Sequence, residues 1–424
     1  MPGRPDAVTA PAPAPAPSRL ARRLGTIDAV VVGLGAMIGA GVFAALAPAA
    51  RAAGNGLLLG LGLAALVAYG NATSSAQLAA VYPQAGGTYV YGRARLGPFW
   101  GFLAGWGFVV GKLASCAAMA LTFASYAAPD HARPLAIGAV ALVTAVDYLG
   151  VQKTALATRV IVAVVLAALA VVVAAVWLGG ATDPGRLWPI TGATPAGVLQ
   201  AAGFLFFAFA GYARLATLGE EVIDPARTIP RAIPIALGIT LVVYTVVAVS
   251  ALAGAGADAL AASAAPLATA VDAGRLASLS PAVRVGATVA SLGVLLSLIV
   301  GVSRTAFAMA AHGDLPPVLA AVHPRYRVPH RAELAVGAIV VIIVAIADVR
   351  AAIGFSSFCV LGYYAIANVA AWTLPPTQRR WPRALAALGL VGCVALAVAL
   401  PWRSVAAGAA VLTLGALLYA IRRA

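Results

Sequence analysis

Gly33-Leu-Gly-Ala-Met-Ile-Gly-Ala-Gly-Val-Phe43 opens the first long apolar stretch of the chain, where a membrane-spanning helix is expected. Glycine is a poor helix former, costing roughly 1 kcal/mol per residue relative to alanine. Gly33, Gly35, Gly39 and Gly41 crowd together here. Two readings follow. A helix weakened at this point comes apart at mid-membrane and bares backbone amides able to hold a carboxylate. Alternatively, Gly35 and Gly39 form a Gly-x-x-x-Gly that lets two membrane helices pack closely. A dinucleotide-binding loop is excluded, because the spacing is Gly-x-Gly-x-x-x-Gly and the context is a membrane span.

Composition sets the class. The chain has 424 residues, of which 62% are hydrophobic and 10% charged, and its mean hydropathy is +0.97. A soluble protein carries about 25% charged residues. Apolar runs long enough to cross a bilayer, about 20 residues each, recur at roughly 27–49, 56–81, 98–127, 134–150, 158–179, 196–218, 233–255, 284–311, 333–348, 352–374, 384–401 and 404–421. About twelve transmembrane helices are therefore predicted. The short alternating segments of a transmembrane barrel are not seen.

The net charge of +15 reads as topology. Most Lys and Arg fall on the side of the N-terminus, including Arg19, Arg22, Arg23, Arg93, Arg95, Arg325, Arg327, Arg379 and Arg422. Arg51, Arg133, Arg186, Arg275, Arg284, Arg350 and Arg403 fall on the other side, and Lys112 and Arg214 lie within spans. The positive-inside rule places both termini in the cytoplasm, and no nucleic-acid partner is implied. Cys116, Cys359 and Cys393 fall in predicted helices, against a disulfide framework. His131, His312, His323 and His330 sit at loops or helix ends, and no His or Cys pair has metal-ligand spacing. No metal or cofactor is expected. Residues 1–20 carry the run Pro11-Ala-Pro-Ala-Pro-Ala-Pro17 and read as a disordered cytoplasmic tail, not a cleavable signal peptide. Abundant Ala and Arg with only Lys112 and Lys153 as lysines suggest a GC-rich bacterial genome.

The first and sixth spans carry interruptions. The sixth reads Phe204-Leu-Phe-Phe-Ala-Phe-Ala-Gly-Tyr-Ala-Arg-Leu-Ala-Thr-Leu-Gly219, with Gly211 midway and a charge at Arg214. They are five helices apart, and an odd number of helices per unit makes a second copy cross the membrane upside down. Interrupted helices at corresponding places in two halves point to the binding site of an inverted-repeat transporter. On that reading residues 24–179 and 196–374 are two five-helix repeats, and 384–424 adds two further helices.

Gly35-Ala-Met-Ile-Gly-Ala-Gly-Val-Phe43, Tyr82-Pro-Gln-Ala-Gly-Gly-Thr-Tyr89, Phe206-Phe-Ala-Phe-Ala-Gly-Tyr212 with Glu220-Glu-Val-Ile-Asp-Pro-Ala-Arg-Thr-Ile-Pro-Arg-Ala-Ile233, and Ser303-Arg-Thr-Ala-Phe-Ala-Met-Ala-Ala-His-Gly-Asp-Leu-Pro316 stand in order along the chain. Together they resemble the amino acid–polyamine–organocation superfamily of permeases, over about residues 24 to 374. The resemblance implies a 5+5 inverted repeat with broken helices 1 and 6, and secondary transport of amino acids or related amines across the bacterial cytoplasmic membrane, coupled to protons or to a counter-substrate. It implies that Ala36, Met37, Ile38, Gly39, Ala40 and Gly41 hold the substrate carboxylate on backbone N–H groups at a half-helix end. Carbonyls near Phe209, Ala210 and Gly211 would receive the ammonium, in bare backbone that lines a cavity. Phe209 and Tyr212 would wall the side-chain pocket. The alternative for both rings is ordinary packing.

Three departures matter. Many relatives carry an acid after the aromatic of the sixth-helix motif, whereas Ala213 stands here and Arg214 follows. An intramembrane arginine costs about 2.5–3.5 kcal/mol on insertion scales. Arg214 therefore either faces the path, favouring substrates with an extra negative or neutral group, or pairs structurally or snorkels to the edge. Proton-coupled relatives often carry a lysine in the fifth helix, and the matching position, near Val165, has none. Lys112 in the third span is either a titrating group or a fixed structural cation. Glu220 and Glu221 lie at the interface, either simply solvated or, as the resemblance suggests, gating by pairing with Arg22 or Arg23. Pro225, Pro230 and Pro234 mark a turn and then a helix start.

Competing functions are a sodium-coupled carrier, with Ser291 and Ser297 as ligands, a non-transporting nutrient sensor or heteromeric partner, and a membrane enzyme. The enzyme would need an acid–base pair at matching depth, and the intramembrane inventory reads as essentially Lys112 and Arg214.

Overall fold

In hydrocarbon, backbone N–H and C=O groups find no water, so an apolar chain closes its hydrogen bonds inside helices. The computed structural model describes residues 24–39, 41–84, 86–150, 155–188, 190, 193–216 and 221–423. The tail at 1–20, with Arg22, Arg23, Ala40 and Glu220, lies outside these described residues. The first span is two helices, α1 (Thr26–Met37) and α2 (Gly41–Ala53). There follow α3 (Leu57–Val81), the short α4 (Thr88–Leu96), α5 (Pro98–Ala127), α6 (Ala132–Tyr148) and α7 (Ala155–Leu178). The sixth span is α8 (Pro195–Phe209), a tight turn of helix at 210–212, and α9 (Ala213–Ala216). The rest is α10 (Pro225–Ala262), the short α11 (Pro266–Asp272), α12 (Ser280–Ala311), α13 (His330–Ile346), α14 (Val349–Trp372), α15 (Arg383–Ala399) and α16 (Trp402–Arg423).

The protein is an all-α integral membrane protein. Each apolar run read from the sequence carries a helix, and 8 helical stretches among the described residues are long and apolar enough to cross a membrane. Large apolar side chains such as Leu142, Val242, Val246, Ile342 and Leu417 remain exposed, as expected of walls that meet lipid tails. Cys116, Cys359 and Cys393 are buried free thiols. One boundary differs from expectation. Pro230 and Pro234 lie inside α10, which begins at Pro225. Pro225 takes the first helical position, where a missing N–H costs little, and buried Ile229, Ala232 and Ile233 hold the turns that contain the other prolines.

Two groups of helices emerge from the packing. In one, α10 packs on α1, α2 and α3, and α8 packs on α2 and α3. In the other, α5, α6, α12 and α13 pack on one another. Between them stand α7, against α1, α10 and α12, and α14, against α3, α5 and α8. Buried polar contacts join α3, α14 and α15: Asn368 Nδ2 donates to Asn71 Oδ1 at 2.6 Å, and Cys393 Sγ donates to the same oxygen at 3.3 Å. Such bonds act as glue where apolar packing offers helices no advantage over lipid.

Asp314, just past α12, ties α4 to that end of the bundle. Its Oδ2 accepts from the Tyr89 hydroxyl at 2.7 Å and from Arg93 Nη1 at 2.9 Å, and its carbonyl accepts from Arg422 Nη1 at 2.8 Å. Burial and the Asp314 carboxylate push the Tyr89 phenol up from its ordinary range, so it stays a donor. Hydrogen bonds to a charged group contribute about 2 kcal/mol. Asp314→Ala is therefore expected to lower the thermal unfolding midpoint of the purified protein clearly. Asp224→Ala, which removes an exposed pair with Arg227, is expected to move it little, since such pairs are worth about 0–1 kcal/mol.

Candidate substrate site

The helix of the first span ends where the glycines fall. Ile38 N–H closes the last turn of α1 on the Leu34 carbonyl at 2.6 Å, and helix resumes only at Gly41. The break of the one reading and the close packing of the other are both present. The helix is broken, and the glycines are also close contacts. A side chain at Gly35 would press on Thr158 and Val162 of α7, at Gly39 on Val294 of α12, and at Gly41 on the Ala208 backbone of α8.

The two breaks meet. A Cβ at Gly211 would overlap the carbonyl of Ala36 and come 2.8 Å from the amide nitrogen of Met37. Only a residue without a side chain lets these backbones approach so far. Met37, Ile38, Phe209, Ala210 and Tyr212 are all buried beside this contact, whereas Gly211 is half-buried. The Phe209 ring stands edge-on to Tyr244 at 5.1 Å, and Tyr212 lies 5.0 Å from Tyr364.

Two tyrosines that the sequence reading did not single out finish the breaks. The Tyr244 hydroxyl, from α10, reaches the Met37 carbonyl and lies 3.1 Å from the Ala208 carbonyl. The Tyr364 hydroxyl, from α14, donates to the Ala210 carbonyl at 3.2 Å. Each satisfies a carbonyl that lost its helical partner. A lone tyrosine in an apolar span looks like packing in a sequence, and no motif marked either one. At the far end of the site Tyr126 of α5 donates to the Phe43 carbonyl at 3.2 Å and accepts from the Leu267 amide at 3.2 Å, joining α2, α5 and α11.

Among the described residues the site is tightly packed. A cavity of about 10 Å³ remains beside it, lined by Val42, Leu46, Leu205, Ala208 and Tyr244 among others, space for one water at most. A groove of about 590 Å³ lies between α6 and α13, lined by Ala141, Thr144, Tyr148, Leu334, Gly337 and others. Its walls are apolar and offer no charged group to a zwitterion, and it is remote from both breaks.

The charged candidates are distributed around this core. Arg214 is exposed, and its Nη2 lies 4.0 Å from Glu221 Oε1. Glu221 also anchors the N-terminal arm through its backbone, since Leu24 N–H donates to the Glu221 carbonyl at 3.1 Å and Ile223 N–H to the Leu24 carbonyl at 2.9 Å. Lys112 is half-buried, 6.0 Å from the Phe108 ring centre, and no carboxylate lies in ion-pair contact with it among the described residues. Val165 is buried. The Ser297 hydroxyl donates to the Gly293 carbonyl at 2.9 Å, while the buried Ser291 hydroxyl has no partner. The inventory of ionisable groups needs one correction. Asp147 and Glu333, at the ends of the two short spans, are buried as well. Both fall inside the predicted spans 134–150 and 333–348, and the packing of α6 on α13 removes the solvent.

The family model described as amino acid permease matches residues 24–420. The chain is 62% identical over 411 residues to an uncharacterized transporter of Mycobacterium tuberculosis, covering 97% of this chain and 93% of that protein. It is 25% identical over 441 residues to a branched-chain amino acid permease of Bacillus subtilis, covering 94% and 92% of the two chains. It is 28% identical over 377 residues to human cationic amino acid transporter 4, covering 81% of this chain and 58% of that one.

Gly211→Ala is expected to destabilise the closed form by about 1–3 kcal/mol, the usual cost of overpacking, and to lower the unfolding midpoint of the purified protein. Gly238→Ala is the control, because a Cβ there meets nothing within 4 Å; it is expected to raise the midpoint slightly through helix propensity.

Proposed function

The chain belongs to the amino acid permease family, and on that premise we propose that this membrane transporter carries amino acids with neutral side chains across the cytoplasmic membrane by alternating access. The observation that carries this reading is the contact of the two helix breaks at Gly211 and Ala36. The Gly39 and Gly41 amides, at the start of α2, present its positive end to a carboxylate. The Met37 and Ala210 carbonyls present negative ends to an ammonium, and each keeps a lone pair beyond its tyrosine bond. A zwitterion fits between ends of opposite sign, as at the midplane of inverted-repeat carriers.

The walls around the breaks argue for the side chain. Phe209, Tyr212, Tyr244, Leu205 and Val42 supply ring and aliphatic surface, and the sequence has Ala213 where many relatives carry an acid after the sixth-span aromatic. The named relatives include both a branched-chain permease and a cationic transporter, and the apolar walls favour the first substrate type. Binding requires opening, because about 10 Å³ is far below the volume of an amino acid. The two helix groups supply the parts: α1, α2, α3, α8 and α10 rock against α5, α6, α12 and α13. Residues 24–179 and 196–374 are the two inverted repeats, with both termini cytoplasmic. Arg214 and Glu221, with the Leu24 arm, close the cytoplasmic side, and Tyr126 with Phe43 closes the other.

The test is uptake and counterflow of radiolabelled amino acids and polyamines in proteoliposomes. Saturable exchange is expected for at least one amino acid with an aliphatic or aromatic side chain, with weak competition by lysine and arginine. Absence of exchange for every compound would favour a sensor without transport. Replacing sodium by choline is expected to leave the rate unchanged. Loss of uptake without sodium would favour a sodium-coupled carrier, with the unpartnered Ser291 hydroxyl as its first candidate ligand.

A further inference from the structure

Two buried carboxylates stand where α6 packs on α13. Asp147, in the last turn of α6, is 5% exposed, and Glu333, in the first turn of α13, is 2% exposed. One turn further in, Thr144 lies against Gly337 and brings the helices into contact. The helix α12, which carries Arg304, packs on both α6 and α13. Arg304 is exposed and makes no ion-pair contact with either carboxylate. Asp147 Oδ2, Glu333 Oε2 and the Thr144 hydroxyl are all buried without a hydrogen-bond partner.

Other neighbours do not balance the pair. On α6 the next residue is Tyr148, whose ring packs on His323 and His330. On α13 His330 begins the helix and Arg331 is exposed. The loop before α13 carries Arg325 and Arg327, both exposed, with Arg325 stacked over Tyr326. From α5, which packs on both helices, the only cation is Lys112, held over Phe108. Buried carboxylates without donors take up a proton in preference to remaining ionised, and two of them beside one cation cannot both stay charged without cost.

We propose that Asp147 and Glu333 form a proton-binding site that holds one proton per pair. The proposal rests on the carrier reading above and names a coupling site for it, in place of the lysine that the fifth helix lacks. The step is simple: a carboxylate takes one proton from water and becomes a neutral carboxyl.

Infrared spectroscopy of the purified full-length protein tests the site directly. A carboxylic-acid C=O band is expected at neutral pH, lost as the solution turns alkaline and diminished in both Asp147→Asn and Glu333→Gln. A wild-type band that is absent at every pH, or unchanged in both variants, would overturn the site. So would a sodium-induced shift of carboxylate bands in place of the acid band, which would assign the pair to a metal cation. In proteoliposomes an inward proton gradient is expected to speed wild-type uptake several-fold and to leave both variants unstimulated while their counterflow persists. Stimulation retained in the variants would overturn the coupling role. Wild-type counterflow tests the carrier reading separately, and its absence leaves the infrared result standing.

Discussion

Bare backbone inside an apolar interior is the constraint on which the structure turns. One span stops being helical at mid-course and another tightens into a 3-10 turn, and each interruption frees backbone groups that lipid cannot satisfy. The chain answers with tyrosines: Tyr244 on the Met37 carbonyl and Tyr364 on the Ala210 carbonyl. Both hydroxyls come from other helices, so each break is held by the packing around it. Gly211 then lets one break rest on the other, and a strained local feature on two helices becomes a single polar core.

That core also explains the closed state. The groups that would embrace a zwitterion are already in mutual contact, with tyrosines and aromatic rings filling the volume around them. A ligand has to part the helices that meet at the breaks, which belong to the group formed with α10 and lean on the scaffold through Val294 of α12 and Tyr364 of α14. Substrate binding and conformational change are then one event, as a population shift between closed and open forms requires.

Much of this was legible in the sequence. The apolar runs gave the spans, and their short terminal boundaries moved by only a few residues. The glycine cluster offered a packing site or a break, and it proved to be both, since each glycine that weakens the helix also admits a neighbour. Gly211 stood out as the counterpart in the sixth span. Tyr244 and Tyr364 were not legible, because their importance lies in a carbonyl supplied by a distant helix. Asp147 and Glu333 were absent from the intramembrane inventory for a similar reason. Near a span's end a carboxylate is usually wet, and only the seating of α6 on α13 shows these two to be dry. The start of α10 was also misread, because three prolines suggest a loop until the buried residues between them are counted.

On the function proposed above, the Gly39 and Gly41 amides and the segment 210–212 form one site. Hydrogen–deuterium exchange of the reconstituted protein, with and without a transported amino acid, tests it most directly. The account predicts that substrate protects both segments together, at matching concentrations, while amides in the groove between α6 and α13 are unchanged. Protection of one break without the other, or protection confined to that groove, would contradict it.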